Sequence, residues 1–267
     1  MNIVKIVALL TCVVIFFSCE KENQIIYEQN VKVMSADSSN YSDHTINGLS
    51  VGEYHNYLMA KQVALLDSLD SINYSNNDST LIMLRQSLKN ILITDLSISS
   101  DDYISFIDST CSITYEFGMS SSEYDSLLIS QRNQVLNNLN NDTLEADLLA
   151  LVNNANVIDI QSFENLSDSL VNKYESTIYQ NYVAMVVDVG LSSYEFWANL
   201  DQDAIELASD TDSIWKADIN GAIVGGGWGA VTGSFAGGIG ALPGGLLGGS
   251  ISASYGSTVA ALWVAFG

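Results

Sequence analysis

The chain has 267 residues, enough for one ordinary domain with extensions or for two small domains. It carries 31 acidic and 9 basic residues, which gives a formal net charge of −22. Nucleic-acid binding and electrostatic attraction to anionic lipid both need clustered Lys and Arg. The composition therefore excludes a nucleic-acid partner and leaves apolar area as the only driving force for a membrane contact.

The first residues indicate export. Lys5 precedes an apolar run over 6–17, which has the length of a signal-peptide core and is short for a membrane span. The run ends in Ser18-Cys19, which resembles a bacterial lipoprotein signal, where a small residue precedes the cysteine that is lipidated and becomes the mature N-terminus. The resemblance implies a signal peptide over 1–18 and lipidation of Cys19. An ordinary signal peptide with an incidental cysteine is the alternative.

The residues after Cys19 predict where the chain resides. Glu20, Lys21 and Glu22 are similar to the acidic export signals on surface-exposed lipoproteins of some Gram-negative bacteria. The resemblance implies an exported, membrane-anchored lipoprotein of a Gram-negative envelope, in the outer membrane. Residues 19–48 have weak periodicity and many Ser, Asn and Asp, so we expect a polar tether there.

Helical patterns begin at Ser50. Ser50 and Glu53 have the spacing of a capping box, in which each side chain satisfies the other's free backbone amide. The residues that follow place apolar side chains on one helical face, at Val51, Tyr54, Leu58, Leu65, Leu69 and Ile72. Residues 49–217 are therefore predicted to form a helical domain.

The same devices recur along this domain. Asp78 caps a helix whose stripe is Leu81, Leu84, Leu88 and Ile91. Further helices are predicted to start at a capping box of Ser120 with Glu123, at Asp142 and near Ser162, the last being one long helix or a pair broken at Gly190. Alternating strand patterns are scarce. The fold class is predicted to be all-α: a bundle of five to seven helices followed by a glycine-rich helical hairpin.

Residues typical of catalysis are few. The only histidines are His44, in the predicted tether, and His55, whose place near a helix start favours a cap or surface role. Cys111 lies in an apolar-periodic stretch without a basic neighbour, which favours a buried, inert thiol. Asp101-Asp102 precedes an apolar run and favours a helix N-terminus. We expect no enzyme activity, no catalytic residue, no metal site and no cofactor.

The aspartates follow an unusual pattern. Ten of the 20 are followed directly by Ser or Thr, and eight of these continue with an aliphatic residue or Thr. The pattern resembles the O-glycosylation site of exported proteins in some Gram-negative bacteria, Asp-Ser/Thr-aliphatic. The resemblance implies acceptors at Ser68, Ser71, Ser79, Ser109, Ser126, Thr143, Ser169 and Ser213. Helix capping is the alternative explanation, since Asp and Ser both favour helix starts.

The last 50 residues, 218–267, differ from the rest. No charged residue occurs from Ile219 onward, and a small residue recurs every four positions. In a bilayer such a strip lets two helices approach closely. The segments 219–241 and 246–267 are each long enough to span about 30 Å, and Leu242 to Gly245 is predicted to be the turn between them. Gly225 to Gly227 marks a point where the first helix is expected to kink.

This tail resembles the glycine-zipper segments of bacterial envelope proteins and the glycine-rich C-terminal halves of membrane-active bacteriocins. The predicted helix-packing residues are Gly221, Gly225, Gly229, Gly233, Gly237, Gly245 and Gly249. The implied partners are a lipid bilayer and further copies of this chain. A pair of buried helices within a soluble domain is the alternative.

Two functions follow from these features. The first is a lipid-anchored cell-envelope protein of non-enzymatic role, whose hairpin serves membrane embedding or oligomerisation. The second is a membrane-active, bacteriocin-like effector that inserts its tail and permeabilises a target membrane. The lipoprotein signal favours the first function, because a lipid-tethered toxin needs a release step.

Overall fold

The computed structural model describes residues 45–70, 77–95, 121–139, 141–155, 159–199, 211–235 and 241–266. These residues form eight helices and no strand, which confirms the all-α prediction. Six helices precede the tail, within the predicted range. The helices are α1 (Val51–Asp70), α2 (Asn77–Asp95), α3 (Ser121–Leu139), α4 (Asp142–Asn153), α5 (Ile160–Tyr174), α6 (Gln180–Asn199), α7 (Thr211–Phe235) and α8 (Ala241–Phe266).

The start of α1 has the predicted capping box, whereas α2 begins at Asn77 and so includes Asp78, which was predicted as its cap. The Ser50 amide donates to Glu53 Oε2 over 2.7 Å, and the Glu53 amide donates to Ser50 Oγ over 3.2 Å, so the predicted capping box is complete. Ahead of it, Asn47 and Gly48 have positive φ angles in a tight turn between Ile46 and Leu49. Such a turn suits an Asn-Gly pair. Asn47 and Gly48 of this turn lie inside the segment 19–48 that was predicted as a tether.

The hairpin of α7 and α8 lies at the centre of the bundle. Helix α7 contacts α3, α4 and α6 as well as α8, while α8 contacts α1, α2 and α6. The described residues all belong to one unit, 38–267. Two buried apolar clusters flank the hairpin. One includes Phe163, Trp215 and Ile219, and the other includes Leu58, Leu88 and Ile251.

The predicted turn of the tail and the predicted break at Gly190 lie elsewhere in the structure. The predicted turn over 242–245 is wrong, because these residues form the first turn of α8 and the break between the tail helices falls between Phe235 and Ala241. Pro243 is tolerated there because the amides of a first helical turn have no intrahelical partner. Helix α7 is also continuous through the three glycines 225–227.

The predicted break at Gly190 is wrong as well. Helix α6 runs through Gly190, and the chain turns at 175–179 instead. A Cβ on Gly190 would lie 2.8 Å from Cζ of Phe163. The Gly190 carbonyl accepts a 2.6 Å hydrogen bond from the Trp215 indole. This glycine therefore allows α5 and α7 to lie close to α6, which is a packing role.

Candidate functional site

The most polar part of the interior lies where α1, α6 and α7 meet. Gly52, in the first turn of α1, donates its amide to Asp188 Oδ2 of α6 over 2.8 Å. A Cβ on Gly52 would overlap Ser192 Oγ and the Asp188 carbonyl, so only glycine lets α1 lie this close to α6. Asp188 is 2% exposed. Burial raises the pKa of its carboxyl, and the hydrogen bonds from Gly52 and Ser50 partly oppose that shift.

One turn further along α1, His55 reaches α7. His55 Nε2 lies 3.1 Å from Asp218 Oδ1, and both side chains are fully buried. The expectation of a cap or surface role for His55 is therefore wrong. It failed because α6 and α7 cover the start of α1, and a pattern of residues within one helix does not reveal which faces other helices cover.

Asp218 has two further donors, both from α6. Its Oδ2 accepts a short hydrogen bond from the Ser193 hydroxyl and a 3.0 Å hydrogen bond from the Trp197 indole. On the other side of the imidazole, His55 Nδ1 lies 3.0 Å from Asn56 Oδ1, while the Asn56 amide nitrogen donates to the Ser192 carbonyl over 2.8 Å. The carboxylate and the imidazole thus each have partners on more than one helix.

This cluster has the residue types of a Ser-His-Asp triad without its geometry. In a triad the serine hydroxyl bonds to the imidazole, which removes its proton as the nucleophile attacks. Here the Ser193 hydroxyl donates to Asp218, and both imidazole nitrogens face other partners. The arrangement does not activate Ser193. In the part of the chain that the structure describes, no group of His, Cys, Asp and Glu is placed to hold a metal ion.

Beyond this cluster, polar side chains also attach α8 to α1. Ser250 Oγ donates to the Val51 carbonyl over 3.2 Å, and Ser257 Oγ lies 2.9 Å from Met59 Sδ. The Thr258 hydroxyl lies 3.6 Å from the same Met59 Sδ and donates to the Ser254 carbonyl over 2.6 Å, while the Ser254 hydroxyl donates within its own helix to the Ile251 carbonyl over 3.1 Å. All these hydroxyls are buried.

No family model, curated protein or solved structure matches this chain.

The glycines of the predicted strip divide between several neighbours. A Cβ on Gly221 would lie 2.6 Å from the Ala253 Cα, and one on Gly225 would overlap the Gly248 carbonyl oxygen, so both lie where α7 meets α8. Gly249 instead faces Met185 of α6. Gly229 and Gly233 lie within α7, Gly245 is buried in α8, and Gly237 lies outside the described residues.

The tail helices have less apolar character than the predicted spans require. None of the described helices combines the length and the hydropathy that a bilayer crossing needs. Helix α7 also starts at Thr211 and passes through the predicted boundary at 217/218 without interruption, which brings Lys216 and Asp218 into the same helix as the glycines. The structure places the hairpin among the other helices.

The predicted modification sites are distributed over several helices. Cys19, Ser71, Ser109 and also His44, Cys111 and Asp101-Asp102 lie outside the described residues. Ser68, Ser79 and Ser213 lie in α1, α2 and α7. Ser126, Thr143 and Ser169 are exposed, on α3, α4 and α5. Glycosylation of any of these sites stays a prediction.

Sequence analysis missed Asp188 and Asp218, although each gives a signal. Asp188 interrupts the apolar run "YVAMVVDVG", and Asp218 is the last charged residue before the uncharged tail. A lone carboxylate within an apolar stretch predicts a buried group that needs a partner. Nothing in the sequence pairs Asp218 with His55, because 163 positions separate them.

Proposed function

We propose that this chain is a lipid-anchored cell-envelope protein of non-enzymatic role, held at the outer membrane of a Gram-negative cell through Cys19. The observation that carries the proposal is the apolar run over 6–17 that ends in Ser18-Cys19. It is supported by the arrangement downstream, where a polar sequence precedes the turn over 46–49 and the helices that follow it. The lipid is then the attachment and the helices are the displayed part.

The buried polar cluster supports a non-enzymatic role. Its side chains satisfy one another, and His55 and Asp218 have no exposed surface from which to reach a substrate. A catalytic group has to lie within hydrogen-bond reach of the reacting atoms.

Acyl labelling tests this proposal. With native-host protein, Cys19→Ala should abolish incorporation of labelled fatty acid and leave the signal peptide in place, and Cys12→Ala is the matched control. Labelling that survives in Cys19→Ala would rule out the lipid anchor. The same material tests glycosylation. Intact-mass analysis should show added mass, and peptide mapping should locate it on peptides with Thr143 or Ser169.

A bacteriocin-like effector is the second candidate, and the position of the hairpin favours it. The hairpin carries no charge from Ile219 onward and is packed among the other helices, so the bundle shields it from water and the tail has to leave the bundle to enter lipid. Ser250, Ser254 and Ser257 would then supply hydroxyls on one face of α8. The Cys19→Ala protein should release dye from phospholipid vesicles if this function is present, and a lack of release across a range of pH would exclude it.

Self-association through the tail is the third element of the proposal. Gly221 and Gly225 are already occupied by the contact with α8, so a second copy would have to bind another face of the hairpin. Cross-linking of the full chain in mild detergent tests whether the chain self-associates. If a second copy binds another face of the hairpin, Gly221→Leu should disturb the fold and leave oligomerisation intact.

A further inference from the structure

Three positions on one face of α1 make polar contacts with the hairpin. The Val51 carbonyl accepts from Ser250 of α8, the His55 imidazole pairs with Asp218 of α7, and Met59 Sδ accepts from Ser257 of α8. These positions are four residues apart, so at 3.6 residues per turn they lie nearly above one another. A single stripe of α1 therefore contacts both helices of the hairpin through directional bonds.

The glycine strip by itself does not fix the position of α7 along α8. Gly221 and Gly225 both face α8. A shift of one turn, about 6 Å along the axis, replaces either of them by another small residue, Ala217 or Gly229. Contact between small residues is thus similar in neighbouring registers, and other contacts have to select one of them.

Both ring nitrogens of His55 have hydrogen-bond partners. The Asn56 side-chain nitrogen donates to the Ser192 carbonyl, which can only accept, so Asn56 Oδ1 is the atom that faces His55 Nδ1, and Nδ1 is the donor in that contact. On the other side, Nε2 faces an Asp218 carboxyl group that also accepts from Ser193 and Trp197. The Asp218 carboxyl group therefore joins α7 to both α1 and α6 through directional contacts.

We propose that α1 is the template that sets the register of the glycine-rich hairpin, and that the buried contact between His55 and Asp218 fixes α7. A shift of α7 by one turn would bring Ile214 or Ala222 to His55 in place of Asp218. Both side chains would then be buried polar groups without their partner, which is unfavourable. Selection of a register is the best attested role of a buried polar contact.

The first test reads the His55 contacts directly in the full-length chain in detergent. With histidine labelled by ¹⁵N, Nδ1 of His55 should carry a proton at pH 7, and a His44→Gln variant assigns the signal. A His55 ring without a proton on Nδ1 would overturn the proposed contact.

The second test reads the register. The Trp215 indole donates to the Gly190 carbonyl inside the core, so in the native chain it should give one signal with slow hydrogen exchange. The double variant His55→Leu/Asp218→Leu removes both members of the contact without leaving one of them unpaired. We expect it to fold with several Trp215 signals or with exchange at least tenfold faster. One Trp215 signal with unchanged exchange would overturn the template.

Two further variants guard against misreading these results. Arg132→Leu/Asn220→Leu removes another polar contact of α7, the 3.0 Å hydrogen bond to α3, and should keep a single Trp215 signal. If the His55→Leu/Asp218→Leu variant does not fold, the Asp218→Asn variant tests the template in its place. It should raise the unfolding equilibrium constant on the order of 100-fold or more and give several Trp215 signals in the folded fraction. Native stability and one Trp215 signal in Asp218→Asn would overturn the proposal.

Discussion

Helices α5 and α7 differ in how much of their surface is buried. Helix α5 buries one face, formed by Phe163, Ser167, Leu170 and Tyr174, and exposes most of the opposite face. Helix α7 is buried all around from Ile214 to Gly226, apart from the partly exposed Lys216. A helix that is apolar on every side belongs in a protein core or in lipid. Here the surrounding helices supply the apolar environment, so a composition typical of a membrane segment is used within a bundle.

Three consecutive glycines let α7 pack closely against three neighbouring helices. A Cβ on Gly225 would meet α8, one on Gly226 would meet Met185 of α6, and one on Gly227 would meet Val135 of α3. Successive residues of a helix point about 100° apart, so three glycines in a row bring three neighbours close at one level. The same triplet in an isolated helix would be a weak point.

The largest expected effect tests the one-sided burial of α5. Phe163→Ala should lower the free energy of unfolding by about 3–5 kcal/mol, because the ring is fully buried with its centroid 4.6 Å from that of Trp215. Asn165→Ala, on the exposed face of the same helix, should change it by less than about 0.5 kcal/mol. Denaturant unfolding of both variants measures the contrast, and equal costs would contradict a one-sided helix.

The next effect separates two faces of α7. Alanine at Gly225 meets the backbone carbonyl of Gly248, which cannot move without shifting α8, so we expect a loss of about 1–3 kcal/mol. Alanine at Gly226 meets the terminal methyl of Met185, the end of a flexible side chain, and lies 3.0 Å from Tyr182 Cε2, and the gain of about 1 kcal/mol in helix propensity offsets part of these contacts. Thermal unfolding should therefore rank Gly225→Ala well below Gly226→Ala. The reverse order would show that α8 is not the rigid neighbour.

A smaller effect concerns the start of α1. Ser50→Ala removes the acceptor for the Glu53 amide and should cost about 1 kcal/mol. Ser50→Thr keeps a hydroxyl that can accept from the Glu53 amide and donate to Asp188, and it should recover most of the loss in chemical denaturation. If Ser50→Ala left stability unchanged, tertiary contacts rather than the cap would hold the first turn.

The smallest effect is a change in pH dependence. The raised pKa of Asp188 means that the folded chain holds this proton to a higher pH than the unfolded chain does. Stability should therefore fall as pH rises from the ordinary aspartate value through the raised one. Asp188→Asn keeps an acceptor for the Gly52 amide and should flatten this part of the profile. An unchanged slope between pH 3.5 and 7 would show that Asp188 is not its source.

Much of the local structure could be predicted because it depends on neighbouring residues. The cap at Ser50, the start of α4 at Asp142 and the buried residues Leu84 and Leu88 follow from side chains within one helical turn of each other. The continuity of α6 through Gly190 could not be predicted in this way. Glycine weakens an isolated helix, whereas here the nearby Phe163 ring makes glycine necessary.

The sequence by itself determined the helical class, the caps and the small-residue spacing of α7, because these depend on contacts within about four positions. Only the tertiary structure decided that His55 is buried, that Asp218 is its partner and that the glycines face α8, α6 and α3. The physical reason is that an apolar helix with small residues gains from close contact with any apolar neighbour, in lipid or in protein. The neighbour is chosen by long-range contacts, such as the pair His55–Asp218, and their geometry exists only once the helices have assembled.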